Sequence, residues 1–81
     1  MRALTLLGRP DCHLCHEMRV LVERVIRGRP VELFLKNIEE DDALLRHYAL
    51  LIPVLVFGES EIARHRISEA DLRARLGELG I

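Results

Sequence analysis

The first half of the chain alternates between short apolar stretches and one longer amphipathic stretch, and this pattern constrains the fold more than any other feature. Ala3–Leu7 and Val31–Lys36 are short and rich in apolar residues, which predicts two strands. Between them, His13–Arg27 repeats its apolar residues at spacings of three and four, which predicts a helix. Gly28 is suited to end that helix in a left-handed conformation, and Pro30 blocks its continuation. A strand–helix–strand unit forms a right-handed crossover between parallel strands, so the fold class is α/β.

The second half predicts a helix, a hairpin and a final helix. A run of acidic residues precedes an apolar stretch and favours a helix over about Glu40 to Tyr48, because acids in a first turn complement the helix dipole. Val54–Phe57 is continuously apolar and predicts a central strand, and the Gly-Glu-Ser turn after it allows a hairpin into Glu61–Arg64. Ser68 begins a capping-box signature, which predicts the start of the last helix.

Together these elements predict the order β-α-β-α-β-β-α, with a mixed four-stranded sheet flanked by helices. A length of 81 residues fits one domain, so residues 1–81 are expected to form a single unit. Apolar residues make up 49% of the chain and charged residues 31%, which is typical of a globular domain.

The distribution of charge excludes several classes of partner. There are 12 basic and 13 acidic residues, the basic ones are not clustered, and aromatic residues are few, so a nucleic-acid surface is not expected. No stretch approaches the ~20 apolar residues of a membrane span, and the apolar run near the start is too short for a signal peptide. We therefore expect a cytoplasmic protein, in which two close cysteines are catalytic or metal-binding rather than structural.

The segment with the most chemical content contains Cys12 and Cys15, two residues apart, between the first strand and the first helix. Gly8 is expected to stop the strand, which places Cys12 at the N-terminus of the helix. The reactive form of cysteine is the thiolate, and the N–H groups and dipole at a helix N-terminus stabilise an anion. We predict that Cys12 faces solvent and attacks a substrate disulfide. Cys15 is expected to turn towards the core and resolve the mixed disulfide.

Charged neighbours modulate this pair in opposite directions. Arg9, and His13 or His16 when protonated, favour the thiolate of Cys12, whereas the adjacent Asp11 opposes it. His13, between the two cysteines, and Arg9 are therefore the candidate modulating residues.

Other readings of the same segment stay open on the residues alone. A zinc or copper module is one alternative: Cys12, Cys15 and His16 supply three ligands, with His13 or His65 as a fourth, although no second Cys/His pair is present. Cys-x-x-Cys-His also matches a haem-attachment pattern, which normally requires export. Copper-carrying domains have the order β-α-β-β-α-β, which differs from the order predicted here. A third class is an interaction protein of the same fold without turnover.

The residues Cys12-His13-Leu14-Cys15, with Ile52-Pro53-Val54 and the capped C-terminal helix, resemble the glutaredoxin-like branch of the thioredoxin superfamily. More narrowly, the chain resembles small bacterial proteins with a Cys-His-Leu-Cys site. The resemblance implies a thioredoxin-like fold and a disulfide oxidoreductase activity that needs no bound cofactor or metal. It also implies that the Ile52–Pro53 peptide is cis and that the Ile52 backbone pairs with the bound substrate chain.

The chain departs from typical glutaredoxins after the fourth strand. Those proteins bind glutathione partly through a Gly-Gly pair and an Asp, where this chain has residues 63–68 without glycine and with Ser68 in the place of the Asp. Glutathione is therefore a candidate co-substrate rather than an assigned one. The expected partner is a disulfide-containing protein or a low-molecular-weight thiol, and the expected state is a monomer.

Overall fold

The computed structural model of the chain describes residues 2–81 and contains a four-stranded mixed sheet flanked by helices. The elements are β1 (Arg2–Gly8), α1 (His13–Ile26), β2 (Val31–Asn37), a short 3₁₀ turn (Ile38–Glu40), α2 (Asp42–Tyr48), β3 (Val54–Phe57), β4 (Ser60–Arg64) and α3 (Glu69–Glu78). Their order is the predicted β-α-β-α-β-β-α. Because α2 separates β2 from β3, the order differs from that of copper-carrying domains.

The sheet has the strand order β2-β1-β3-β4, with β1 parallel to β2 and antiparallel to β3. The central position of β1 follows from its composition, since Leu4, Leu6 and Leu7 are all buried. β2 is an edge strand, and Leu35, which alternates onto the same face as the half-buried Leu33, is 51% exposed there. The parallel pairing brings the ends of β1 and β2 to the same edge of the sheet, where α1 begins.

Two apolar clusters lie on opposite faces of the sheet. The larger cluster lies between the sheet and the helices α1 and α3, and its eleven buried members within residues 2–81 are Leu4, Leu6, Met18, Val22, Val25, Val31, Leu55, Ile62, Ala63, Leu72 and Leu76. The smaller cluster lies on the α2 side and has five buried members, which are Leu7, Cys15, Ile38, Ile52 and Val54. One of the two cysteines is thus part of the smaller core.

The helix boundaries follow the capping chemistry of the sequence. The Ser68 hydroxyl accepts a hydrogen bond from the Asp71 N–H at 3.1 Å, so the predicted cap of the last helix is confirmed. The predicted start of α2 at about Glu40 is two residues early. The Asp41 side chain accepts from the N–H groups of Ala43 and Leu44, so it is the N-cap and the helix begins at Asp42.

β1 ends at Gly8, as expected, and includes this glycine, which pairs with Asn37 of β2. Gly28 has φ +82°, the left-handed conformation predicted after α1. In the part of the chain that is described, no helix is long and apolar enough to cross a membrane.

Candidate active site

Cys12 is the N-cap of α1, in extended backbone conformation with φ −116° and ψ 109°. Its Sγ accepts a hydrogen bond from the Cys15 N–H at 3.1 Å, and its carbonyl accepts from the His16 N–H at 3.2 Å. One N–H of the first helical turn, that of Cys15, therefore points towards the sulfur of Cys12. This geometry stabilises a negative charge on that sulfur when the pair is reduced.

Cys12 and Cys15 form a disulfide, with their Cα atoms 5.2 Å apart. The two sulfurs differ in environment. Cys12 is partly exposed, whereas Cys15 is 8% exposed and packs with Leu7 and Ile52 in the smaller cluster. The expected contrast between an accessible and a buried cysteine is therefore present in the structure.

Gly8 is a part of the site that the sequence reasoning missed. A Cβ atom on residue 8 would lie 2.9 Å from the Cys15 Sγ and 3.2 Å from its Cβ. The Cys15 side chain therefore packs directly on the bare backbone of β1. The signal in the sequence was a glycine at the end of a buried strand, where it was interpreted as a strand terminator.

The loop before β3 lies against the same cluster. The Ile52–Pro53 peptide is cis, as the resemblance implied, and both residues are buried. The Ile52 N–H donates to the Tyr48 carbonyl at 3.2 Å, and the Pro53 carbonyl accepts from the His65 N–H at 2.8 Å. The backbone N–H of Ile52 is thus already engaged within the protein.

A pocket of about 230 Å³ opens beside the disulfide, between α1 and the end of β2. Leu6 and Leu35 form part of its apolar wall, and both cysteines also line the pocket. Four basic or imidazole side chains also line it, and these are Arg9, His16, Arg19 and Lys36. Of the two modulating candidates, the structure places Arg9 in this pocket, while His13 is exposed on the first turn of α1 and does not line it.

Of the four histidines, His16 alone lines the pocket that contains both cysteines. Within residues 2–81, no group of three or more His, Cys, Asp or Glu side chains is arranged to hold a metal ion. His47, on α2, packs edge-on against Tyr48 with ring centroids 4.5 Å apart. His65 follows β4 and contacts the Pro53 carbonyl through its backbone.

Comparison with known proteins gives a consistent family assignment. The model of the Glutaredoxin-like domain (DUF836) matches residues 3–77. The X-ray structure of the protein XcR50 from X. campestris is 33% identical, with 93% of this chain and 96% of that chain covered and a TM-score of 0.79. The solution structure of protein Ne2328 from Nitrosomonas europaea is 31% identical, with 90% and 88% covered and a TM-score of 0.74.

A more distant structure supports the fold alone. Thioredoxin 1 from Thermosipho africanus is 12% identical, with 95% of this chain and 92% of that chain covered and a TM-score of 0.66. Among curated protein sequences, none matches the chain.

Proposed function

The chain belongs to the family of glutaredoxin-like domains with a thioredoxin-like fold, and on that premise we propose that it is a thiol–disulfide oxidoreductase. A thiol redox role fits both the family and the disulfide between Cys12 and Cys15. The observation that carries the finer proposal is the unequal placement of the two sulfurs. Cys12 is partly exposed at the helix N-terminus, whereas Cys15 is buried one helical turn later.

The proposed reaction begins with the reduced pair. The Cys12 thiolate attacks one sulfur of a substrate disulfide, which forms a mixed disulfide and releases the other substrate sulfur as a thiolate. Cys15, after losing its proton to solvent, then attacks Cys12 Sγ, and the second substrate sulfur leaves. Two electrons have moved from the Cys12–Cys15 dithiol to the substrate, and the protein ends in the disulfide form described above.

The helix N-terminus supplies the selectivity between the two cysteines. A free cysteine has a pKa of roughly 8.5, so about 3% is thiolate at neutral pH without stabilisation. The Cys15 N–H bonded to Cys12 Sγ favours the anion at Cys12. We propose that Arg9, and His13 when protonated, add a smaller Coulombic contribution, since Arg9 lines the pocket that contains Cys12 and His13 is the next residue in the chain.

Ile52 and Pro53 are proposed to border the bound substrate chain. Ile52 packs in the cysteine cluster, which supports this placement. Because the Ile52 N–H is bonded to Tyr48, we propose that a substrate backbone pairs with the Ile52 carbonyl, or with its N–H after that bond opens.

The partner is proposed to be a disulfide-containing protein or a low-molecular-weight thiol, with glutathione as one candidate donor and no bound cofactor. We place this activity in the cytosol, where disulfides are kept reduced, and in a monomer. An assay that offers glutathione and a thioredoxin-type reductant in parallel would identify the donor. Turnover with only one of them assigns the electron source.

A single-turnover experiment tests the proposed function without any electron donor. Pre-reduced protein is mixed with bis(2-hydroxyethyl) disulfide, free thiols are alkylated, and the masses of the protein products are measured by mass spectrometry. We expect the wild-type protein to lose both alkylation sites. The Cys12→Ser variant should not react, and the Cys15→Ser variant should stop at the mixed disulfide.

The two serine variants are matched controls for each other, because each removes one sulfur and leaves the fold and the other cysteine in place. A Cys12→Ser variant that reacts as fast as the wild type would overturn the assignment of the nucleophile. Absence of reaction in wild-type protein, with folding verified by circular dichroism, would overturn the oxidoreductase proposal itself.

A further inference from the structure

His65, the residue after β4, has a backbone conformation that residues other than glycine adopt rarely. Its φ is 64°, and among residues 2–81 it is the one non-glycine residue with positive φ. A Cβ atom crowds the neighbouring carbonyl in this conformation, whereas glycine adopts it freely. A side chain retained at such a position marks a site where the strain is compensated and where the side chain itself can have a function.

Two short hydrogen bonds hold this conformation next to the active site. The His65 N–H donates to the Pro53 carbonyl at 2.8 Å, and the Arg66 N–H donates to the Arg64 carbonyl at 2.7 Å. Pro53 follows Ile52, which packs with the cysteines. The loop of residues 64–66, which we call the β4 loop, is therefore tied to the segment that packs on Cys15, at the edge of the sheet opposite β2.

His65 and Arg66 of the β4 loop, with Ile67, form one wall of a second pocket, of about 160 Å³. Its other wall belongs to α1 and includes Leu14, which lies between the two cysteines, and Glu17. Within the loop, only Arg64 is firmly paired, because it donates two hydrogen bonds to Glu61 at 2.8 and 3.0 Å. These bonds hold the pKa of Glu61 below its usual value.

The remaining polar groups of the loop are not engaged in this way. The Arg66 side chain is 77% exposed, and its nearest carboxylate oxygen, on Glu17, is 4.0 Å away. His65 is exposed and lines the same pocket as Arg66. In the first pocket, which contains the disulfide, Arg9 and Lys36 form no salt bridge with any described residue.

The side chains that line the two pockets include four Arg or Lys residues and one carboxylate, that of Glu17, whereas the chain as a whole has a formal net charge of −1. Cationic groups line the first pocket together with Cys12, and Arg66 adds another on the β4 loop. A partner with complementary charge carries acidic side chains near its disulfide.

We propose that His65 is a specificity-determining residue that, together with Arg66, contacts an acidic side chain beside the disulfide of a polypeptide substrate. The inference rests on the proposed oxidoreductase function and names its substrate class. His65 donates a hydrogen bond to the carboxylate, and Arg66 supplies charge. Neither group takes part in the exchange of electrons between sulfurs.

The test uses single turnovers of pre-reduced protein on three disulfides. Two are synthetic peptides, each closed by one internal disulfide and identical except that Asp or Lys flanks the cysteines. The third is the small neutral bis(2-hydroxyethyl) disulfide. We expect the wild-type protein to react about fivefold faster with the Asp peptide than with the Lys peptide, the upper range for exposed charge pairs. His65→Gly should reduce this ratio to below about twofold, with the neutral disulfide unaffected.

The unfolding temperatures of the variants distinguish a role of His65 in selectivity from a purely structural role. Because glycine relieves the left-handed strain, His65→Gly is expected to unfold at the same temperature as the wild type or higher, while its selectivity falls. Asparagine tolerates the same conformation, so His65→Asn should fold as well and retain part of the selectivity. Arg64→Gln is the matched control, since it removes a neighbouring charge that is already paired with Glu61, and it should leave the ratio unchanged.

Each outcome bears on a different claim. An unchanged ratio in His65→Gly, or a wild-type protein that does not distinguish the two peptides, overturns the inference and leaves the oxidoreductase function standing. A fall in the unfolding temperature of more than about 4 °C, near 1 kcal/mol for a domain of this size, overturns the strain argument. Failure of wild-type protein to react with the neutral disulfide overturns the proposed function instead.

Discussion

The two faces of the sheet differ in size and in what they contribute. The larger cluster, under α1 and α3, has eleven buried residues, none of which is a cysteine. The smaller cluster, on the α2 side, has five, and one of them is Cys15. The stabilising core and the candidate redox site are therefore largely separate. Substitutions in the larger cluster should therefore change stability without changing reactivity, whereas substitutions in the smaller cluster should change both.

The largest expected effect is on the larger face. Leu72 is fully buried between α3 and the sheet, so Leu72→Ala removes apolar contacts and leaves a cavity. We expect a loss of about 2–5 kcal/mol in the free energy of unfolding. That loss is a large part of the total for a domain of this size. Urea denaturation measures it, and single-turnover exchange at low urea should match the wild type after correction for the folded fraction.

A gentler variant keeps this test informative if Leu72→Ala does not fold. Ile62→Val, in the same cluster, is expected to lose about 0.5–1.5 kcal/mol. A change in exchange rate with the protein fully folded would show that the larger face also governs the site, and the separation of the two faces would then be wrong.

The second prediction concerns the contact between Gly8 and Cys15. Gly8→Ala adds a Cβ that would lie 2.9 Å from the Cys15 Sγ, so the strand or the cysteine must move. We expect a loss of about 1–3 kcal/mol in stability, typical of overpacking. Unlike Leu72→Ala, it should also slow the second step of exchange, so the mixed disulfide accumulates in mass spectra. Wild-type kinetics in this variant would contradict the role assigned to Gly8.

A pair of helix caps provides a smaller and better matched comparison. The Asp41 side chain caps α2 on the smaller face, and the Ser68 side chain caps α3 on the larger face. Asp41→Ala and Ser68→Ala should each lower the free energy of unfolding by about 1 kcal/mol. Only Asp41→Ala is expected to alter the exchange rate, because α2 packs on the cluster that contains Cys15. If both variants change the exchange rate equally, the smaller face does not control the reactivity of the cysteines more than the larger face does.

The smallest expected effect is a pH dependence of the free energy of unfolding, through Glu69 on α3. Hydrogen bonds from Arg73 and Arg24 lower the pKa of Glu69 from its ordinary value of 4.5. The stabilising contribution of this carboxylate is therefore complete above pH 4.5 and is lost as the pH falls through the lowered value. Urea midpoints between pH 7 and pH 3 should decline less steeply in Glu69→Gln. Arg24 lies on α1 and Glu69 on α3, so their ion pair joins the two helices. If the urea midpoints of the wild type and of Glu69→Gln fall in parallel with pH, this ion pair does not contribute to stability.

Much of the architecture could be predicted from local patterns. The order of elements, the cap at Ser68 and the position of Cys12 at the start of α1 follow from apolar spacing and capping residues, which act over a few positions. The start of α2 was predicted two residues early because a run of four acids favours a helix anywhere along it, whereas only Asp41 has the extended backbone of a cap.

Other features could not be predicted because they depend on residues far apart in the chain or on the order of strands. Leu35 belongs to an alternating strand, yet it is half exposed because β2 is at the edge of the sheet. The left-handed conformation of His65 arises beside Pro53, to which it is bonded across the hairpin. No local sequence pattern predicts the exposure of Leu35 or the conformation of His65.

The sequence by itself determined which residue is placed at the helix N-terminus, and hence which cysteine can be stabilised as a thiolate, because periodicity and capping are short-range. Only the tertiary structure decided how the partner sulfur is buried and which side chains surround the pair. The packing of Cys15 on the bare backbone of Gly8 requires α1 to fold back onto β1, and the placement of the β4 loop requires β3 and β4 to pair. Those contacts form when the sheet and helices close on one another, and a linear pattern of residues does not contain them.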